Sequence, residues 1–461
     1  MVLVLLVGVV VLTAPLWGPG VVEKLASAAL RHAGVSEVAL QVQSLGLEQS
    51  KLKVERLHFE GATLSNADLA IDYSAAGLWQ GKLGRMAIYH PQLEVVLPRA
   101  TGTGEKASEA GSGLEPLEFP ANFPLPELEI VDARVTLRDG TTRHLVEFNA
   151  RLRAEAGGVL SLNMEIPGIS LALEGVQFAS ERLELFARGS ATDALAVTVR
   201  VAGGQITWAE GSGQLTGLEG AVEFSAVLPP VTAGRQRLEF TSFQQGDFTA
   251  GAGTIELRYA AEPGAGTPLA VEVNTTALGG AVRLVVEGAV REPRALMIRV
   301  LLDAVEMEAL AALFPQFEGE ITGTASGELA LRLEGQRIIL LPGGIQLDTG
   351  SSGRFKYTRQ GWLTQDAGLD PEAFVAGRDI VEIMQDPQGA TALTELALRE
   401  LMMSEFSLNV REARAGEPTF EARIEGERMI QGVRVPVILD VPIRGDVEET
   451  LNAVFKFNAR M

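Results

Sequence analysis

The stretch Glu328-Leu329-Ala330-Leu331-Arg332-Leu333-Glu334 decides how this chain folds: Leu329, Leu331 and Leu333 alternate with Glu328, Ala330, Arg332 and Glu334. An apolar side chain at every second position is what a strand with one buried and one wet face requires. The period recurs upstream, where Phe148, Ala150 and Leu152 alternate with Glu147, Asn149, Arg151 and Arg153. It holds from Val38 onward. Turn signals separate such runs, among them Asp139-Gly140, Gly203-Gly204, Gly279-Gly280 and Pro342-Gly343-Gly344. The pattern predicts about twenty strands of roughly 6 to 10 residues, joined mostly as hairpins or meanders. No helix-sized gap separates most of them, which excludes a parallel α/β sheet.

Composition agrees with one extended β-structure. The 461 residues are 46% hydrophobic and only 6% aromatic, with 50 glycines and a mean hydropathy of +0.17. A net charge of −20 and the lack of a visible basic patch argue against nucleic acid as a partner. That charge suits an apolar β-protein that must stay soluble and blunt its edges. With no cysteine there are no disulfides, thiolate nucleophiles or cysteine metal sites.

At the N-terminus, residues 2 to 17, VLVLLVGVVVLTAPLW, are uncharged, and Glu23 is the first charged side chain. As a helix the run is about 24 Å long, and carried through Val22 it reaches about 30 Å, one hydrocarbon core. The expectation is an uncleaved membrane anchor over 1–22; a cleaved signal peptide or a buried element are the other readings. Against cleavage stand the missing basic flank and Pro15 after Ala14. The only basic markers, Lys24 and Arg31, lie on the far side, and a positive-inside count puts the bulk of the chain in the cytoplasm. Val21 to Ala33 reads as a short amphipathic helix with Val22, Leu25, Ala29 and Leu30 near one face. Strands complete a segment 23–99. The string ATGTGEKASEAGSG (100–113) opens a flexible linker or loop, 100–118, before a repetitive β body, 119–461. Two helical interruptions are expected there. Asp303 caps a helix carrying Met307, Leu310 and Phe314, stopped by Pro315, and Asp370-Pro371 opens a region where Leu393, Leu396, Ala397 and Leu401 fall at helical spacing.

No catalytic constellation emerges, so an enzyme is not expected and no catalytic residue, cofactor or metal is assigned. His32, His58, His90 and His144 form no short-spaced metal pair, and no G-x-S-x-G elbow occurs. GSGQLTG (211–217) and GAG (251–253) have no following helix to hold a phosphate and read as turns. What remains is the apolar surface. About twenty short strands must close, split or curl, and a curled sheet with an apolar concave face makes a trough that suits acyl chains. The same face packed as a sandwich core has the same periodicity.

The C-terminal segments ITGTASGEL (321–329), SSGRFKY (351–357) and GVRVPVILDVPIRGDVEETLNAVFKFNARM (432–461) resemble the C-terminal region of YdbH-like proteins of the AsmA-like and TamB-like group. AAGLWQGKLGRMAIYHPQLEVVL (75–97), following the apolar anchor, resembles the opening of AsmA-like proteins. The resemblance implies a mainly β, elongated and curled antiparallel sheet that forms an apolar groove, with an N-terminal transmembrane helix, a few short helices and a YdbH-like C-terminal region from about residue 300. It implies single-pass anchoring in the inner membrane through residues 2–22, with the bulk in the periplasm of a Gram-negative envelope. The activity implied is non-enzymatic carriage of phospholipids from inner to outer membrane. The apolar strand runs supply the candidate acyl-chain contacts: Phe148, Leu152, Leu329, Leu331, Leu333, Val433, Val435, Val437, Leu439, Val441, Phe455 and Phe457. A small outer-membrane lipoprotein would add strands at the C-terminal edge, where Pro436 and Pro442 lack N–H donors. The alternative function is a periplasmic structural or assembly scaffold for the outer membrane.

Overall fold

The computed structural model describes residues 35–96 and 125–443 except 60–61, 75, 78–81, 140–141, 156–157, 174, 191–194, 209–211, 228–229, 261–268, 290–294, 314–318, 335–336, 359–362, 365–367 and 412–418, together with 23–24, 27–28 and 30–31. The expected anchor 1–22 and linker 100–118 lie outside them. Among the described residues no helix is long and apolar enough to cross a membrane. Those between 23 and 31 are helical, and Leu30 packs against Leu40 and Val42.

The described chain is mainly β, in two compact units. The first holds residues 1–208, 216–238 and 259–263, and the second holds 209–215, 239–258 and 264–461. In the first, β1 (Glu37–Leu45), β2 (Gln49–Phe59) and β3 (Ala62–Asp72) form an antiparallel meander. β4 (Arg85–Tyr89) and β5 (Gln92–Val96) share the far edge of β3. β6 (Glu127–Asp139) then runs parallel to both, a local departure from the expected antiparallel order. β7 (Thr142–Ala154) returns as a hairpin, and β8 (Leu160–Ile166) continues the meander. β9 (Ile169–Leu173) pairs with β10 (Val176–Ser180), β8 with β11 (Arg182–Gly189), and β12 (Ala196–Trp208) covers β10 and β11. β13 (Gly213–Val227), most of it in this unit, pairs with β14 (Pro230–Thr232) and is followed by β15 (Gln236–Phe240).

In the second unit β16 (Ser242–Gln245) and β17 (Phe248–Tyr259) make a hairpin. β18 (Leu269–Ala277), β19 (Gly280–Ala289), β20 (Ala295–Glu306), β22 (Thr324–Glu334) and β23 (Arg337–Leu347) follow as an antiparallel ladder. Helix α1 (Met307–Ala311) and β21 (Gly319–Thr322) lie between β20 and β22. β24 (Gly353–Tyr357) pairs with β21 and β25 (Leu401–Arg411), and β26 (Thr419–Ile430) and β27 (Val433–Ile443) end the described ladder. A helical insert, α2 (Pro371–Val375), α3 (Ile380–Gln385) and α4 (Pro387–Leu398), separates β24 from β25.

Each unit is creased. In the first, Asn66 on β3, His90 between β4 and β5, and Asp132 on β6 have φ of 53°, 52° and 52°; pairing is interrupted at each, and at Asp132 the register also shifts by one residue. The bulge bends β6, and the interruptions at Asn66 and His90 lie beside it on the paired strands. A side chain takes up the group freed at Asp132, whose N–H donates to Asn149 Oδ1 at 2.7 Å, and beside it the side chains of Asn66 and Gln92 join, Asn66 Nδ2 donating to Gln92 Oε1 at 3.1 Å. The second unit repeats the device at Ala304 (φ 51°), at Gly323 and where β23 breaks from β24. There the Ala304 N–H donates to Ser326 Oγ and the Thr324 N–H to Ser351 Oγ, at 2.9 and 3.0 Å.

Several expected turns are strand interior. Gly203 (φ 61°) lies inside β12, opposite Glu181 where β10 gives way to β11, and the register is the same on either side of it. Pro342-Gly343-Gly344 lies within β23, where a register shift brings Gly343 so close that a Cβ would sit 2.5 Å from Glu328 O. Residues 213–217 begin β13, and 251–253 lie within β17. Gly279 does turn the chain, as the second residue of a two-residue hairpin whose first is Leu278, with φ of 74° and 54°. Asp303 caps nothing: it pairs with Ala281 because β20 runs on to Glu306, and α1 starts at Met307 with no side-chain cap. Asp370 caps α2 as expected, accepting from the N–H groups of Glu372 and Ala373. Leu401 is not helical. α4 ends at Leu398, and Leu401 begins β25.

Candidate functional site

Cross-strand register turns the period-two pattern into continuous rows. In the first unit Ile130, Ala150, Met164, Leu185 and Val199 stand opposite one another across β6, β7, β8, β11 and β12. One pair along, Leu128, Leu152, Leu162, Ala187 and Val197 repeat the row, and Phe148 faces Ala133. In the second unit the row is Val271, Val286, Ile298, Leu331 and Leu340 across β18, β19, β20, β22 and β23. Flanking it run Leu296 with Leu333 and Val300 with Leu329. Phe148, Leu152, Leu329, Leu331 and Leu333 thus lie where the alternation places them, on apolar faces. Met164, Leu185, Val271, Val286 and Ile298 share those faces, and the same alternation would have found them.

These rows are not closed by packing. All five residues of the β18–β23 row are half-buried, and so are Ile130, Met164, Leu185 and Val199. Ala150, Ala187 and Val197 are buried, and the packed clusters begin beside the rows, with Leu128, Val300 and Leu329 against their edges. Two lie in the first unit, Val35, Val54, Leu57 and Ala67 in one and Ile71, Tyr73, Leu83 and Leu125 in the other. A third, in the second unit, starts at Leu302 and runs through Val305, Ile345, Phe355, Leu398, Leu401 and Val437. Contiguous apolar side chains left partly exposed make these rows the candidate interaction or ligand face.

The opposite faces carry charge in alternating sign. Arg151 reaches Glu129 at 2.6 Å, Arg134 reaches Glu147 at 2.7 Å, and Arg200 reaches Glu184 at 3.1 Å. Arg85 also pairs with Glu129. The second unit continues with Arg283 to Glu272 at 2.9 Å. Each exposed pair is worth about 0–1 kcal/mol, so these ladders set which face is wet more than they stabilise the sheet. On β26 the Arg423 guanidinium is held above its ordinary range by its hydrogen bond and attraction to Glu425, with Asp440 adding to it. A concavity of about 380 Å³ on the wet face has Arg151, Arg153 and Arg188 in its lining, but Glu129, Glu127 and Glu155 already hold them at 2.6, 3.3 and 2.7 Å.

The C-terminal candidates fall into a different setting. Val435 and Val437 are 3% and 4% exposed. Val435 packs with Val375, Ile380, Ile383 and Leu393 of the insert, with Val433 partly buried beside it, and Val437 joins Leu398, Leu401 and Met403. Leu439 is half-buried against the same cluster. Val441 is within β27, opposite Ala422, while Phe455 and Phe457 lie outside the described residues. β27 pairs along its whole length with β26, without a register shift. Pro436 and Pro442 are six residues apart, so their missing N–H groups fall on one edge of the strand.

No group of three metal-ligating side chains occurs among the described residues. His58 Nδ1 lies 2.9 Å from Thr63 Oγ1, and His90 Nδ1 lies 3.6 Å from Asp132 Oδ2 on the crease. Comparison with known proteins finds no matching family model, no similar curated protein and no similar solved structure.

Proposed function

We propose that this protein is a passive carrier of phospholipids, taking them from the inner to the outer membrane of a Gram-negative envelope with their acyl chains on the apolar strips and their headgroups at the wet margin. One observation carries the reading: rows of aliphatic side chains cross five strands in each unit, and all five in the second unit and most of those in the first stay partly exposed. Five strands at about 4.8 Å spacing give a row about 19 Å long. One leaflet's acyl layer is about 15 Å deep, half of the hydrocarbon core, so a row can shelter a whole chain. Burial at about 25 cal/mol per Å² of apolar surface then drives binding without any reacting group.

The resemblance of 321–329, 351–357 and 432–461 to YdbH-like proteins supports the same reading. So does the apolar run 2–22, which in this reading is the inner-membrane foot. A small outer-membrane lipoprotein would pair with the outer edge of β27. The experiment is mass spectrometry of phospholipid co-purified with the full-length protein, followed by transfer of a fluorescent phospholipid between vesicles. Bound phospholipid and protein-dependent transfer are expected. A protein that purifies free of phospholipid and transfers none would sink the proposal.

A further inference from the structure

The lipid reading alone would let acyl chains run along the apolar face to the last strands. We infer that they do not: the helical insert is a fixed end wall, and the acyl path of the second unit stops at β23. This inference rests on the lipid reading and adds where the path ends.

The exposure of the inner face changes at that point. Along the middle of β18–β22, Val271, Val286, Ile298 and Leu331 are partly exposed, and the face closes over at Leu302, Ala325 and Ile345 toward one end of β20, β22 and β23. Past β23, Val410, Ala422, Ile424, Val435 and Val437 are each less than 9% exposed and offer no seat to a ligand, and the half-buried Phe406, Leu408 and Leu439 on the same face pack against the cluster that covers them. The insert is what covers the end of this face. Leu393, Ala397 and Leu398 of α4 are 1%, 0% and 1% exposed, and with Ile383 of α3 (0%) they pack against Val435, Val437 and Leu401.

The insert is also fastened by polar groups that a movable lid would have to break and leave unpaired. Glu395, 3% exposed, accepts through Oε2 from the N–H groups of Leu363 and Thr364 at 3.2 and 3.0 Å and from Thr364 Oγ1 at 2.7 Å. This ties the chain entering the insert to its last helix. From the sheet side, Arg428 on β26 donates to Leu396 O at the end of α4, and Gln431 donates to Val375 O at 3.2 Å. A dry apolar contact fastened at three places is a wall. Lipid therefore leaves sideways over the margin of β18–β23.

The test uses the full-length protein and a phosphatidylethanolamine carrying a photoactivatable diazirine in its acyl chain, presented in vesicles. After irradiation, adducts are expected on peptides holding residues 296–300 and 329–333, with at least tenfold less on those holding 401–403 and 435–437. Equal labelling of the C-terminal strands would overturn the end wall while leaving the lipid reading standing. No labelling anywhere would count against the lipid reading itself. Hydrogen exchange judges the wall independently of labelling: amides of 392–398 should exchange as slowly as those of β25 and β26, with or without vesicles. A tenfold acceleration in α4 on adding vesicles would show a lid and overturn the inference.

Discussion

Leu331 stands directly opposite Ile298 across β22 and β20, and both are half-buried, whereas Leu302, four residues along the same face of β20, is 7% exposed inside the packed cluster. Strand pairing is the same at both positions. What differs is whether anything lies above.

The difference separates two effects of substitution. Ile298→Asp or Leu331→Glu puts a charge on the strip where water can still reach it, so about 1–2 kcal/mol of stability should be lost, within the usual range for point changes. Phospholipid transfer should fall at least tenfold. Urea unfolding and vesicle transfer on the same samples check both. Full transfer by the two variants would remove the strip from the mechanism.

Truncation in the wall should behave as core loss. Ile383→Ala or Leu398→Ala removes a side chain that is 0% or 1% exposed, for about 2–5 kcal/mol in the second unit. Leu145→Ala, at 52% exposure on the wet face of β7, should change stability by less than about 0.5 kcal/mol. Denaturant midpoints compare the three directly.

The fastening of the insert is open to a double-mutant cycle. Glu395→Gln weakens charge-assisted bonds worth about 1.5–3 kcal/mol, and Thr364→Val removes the hydroxyl that donates to the same oxygen. The double variant should lose clearly less than the sum of the single losses, because both changes break one contact. Strict additivity would show that the 2.7 Å contact contributes nothing.

The crease can be tested through backbone conformation. Asp132 sits at φ 52°, which glycine adopts freely and a β-branched residue resists. Asp132→Gly should be near neutral, and Asp132→Val should cost about 1–3 kcal/mol. Thermal unfolding gives the order. Equal midpoints for the two would mean that the strand simply flattens there.

Much of the fold was legible because strand faces repeat every two residues. The alternation of Leu329, Leu331 and Leu333 with charged neighbours set strand and face together, and Asp370-Pro371 marked a helix start that the cap of α2 realises. The misreadings share one cause. Gly203-Gly204, Pro342-Gly343-Gly344 and the glycines of 251–253 carry turn composition, but glycine serves a bulge or a close strand approach as readily as a turn. Leu401 shows the same limit for helices, since its spacing from Ala397 continues the helical period while the chain has already entered β25.

By itself the sequence determined that the described chain is mainly β and which side chains share a strand face, because those are local properties of period and propensity. It also ruled out the familiar catalytic motifs. Only the tertiary structure decided which part of the apolar face is covered. Val435 and Leu331 read alike in sequence, each an aliphatic residue in a period-two run. One is sealed by residues 375 to 393 of the insert and the other is left half-open, a difference made by contacts between strands and helices distant along the chain.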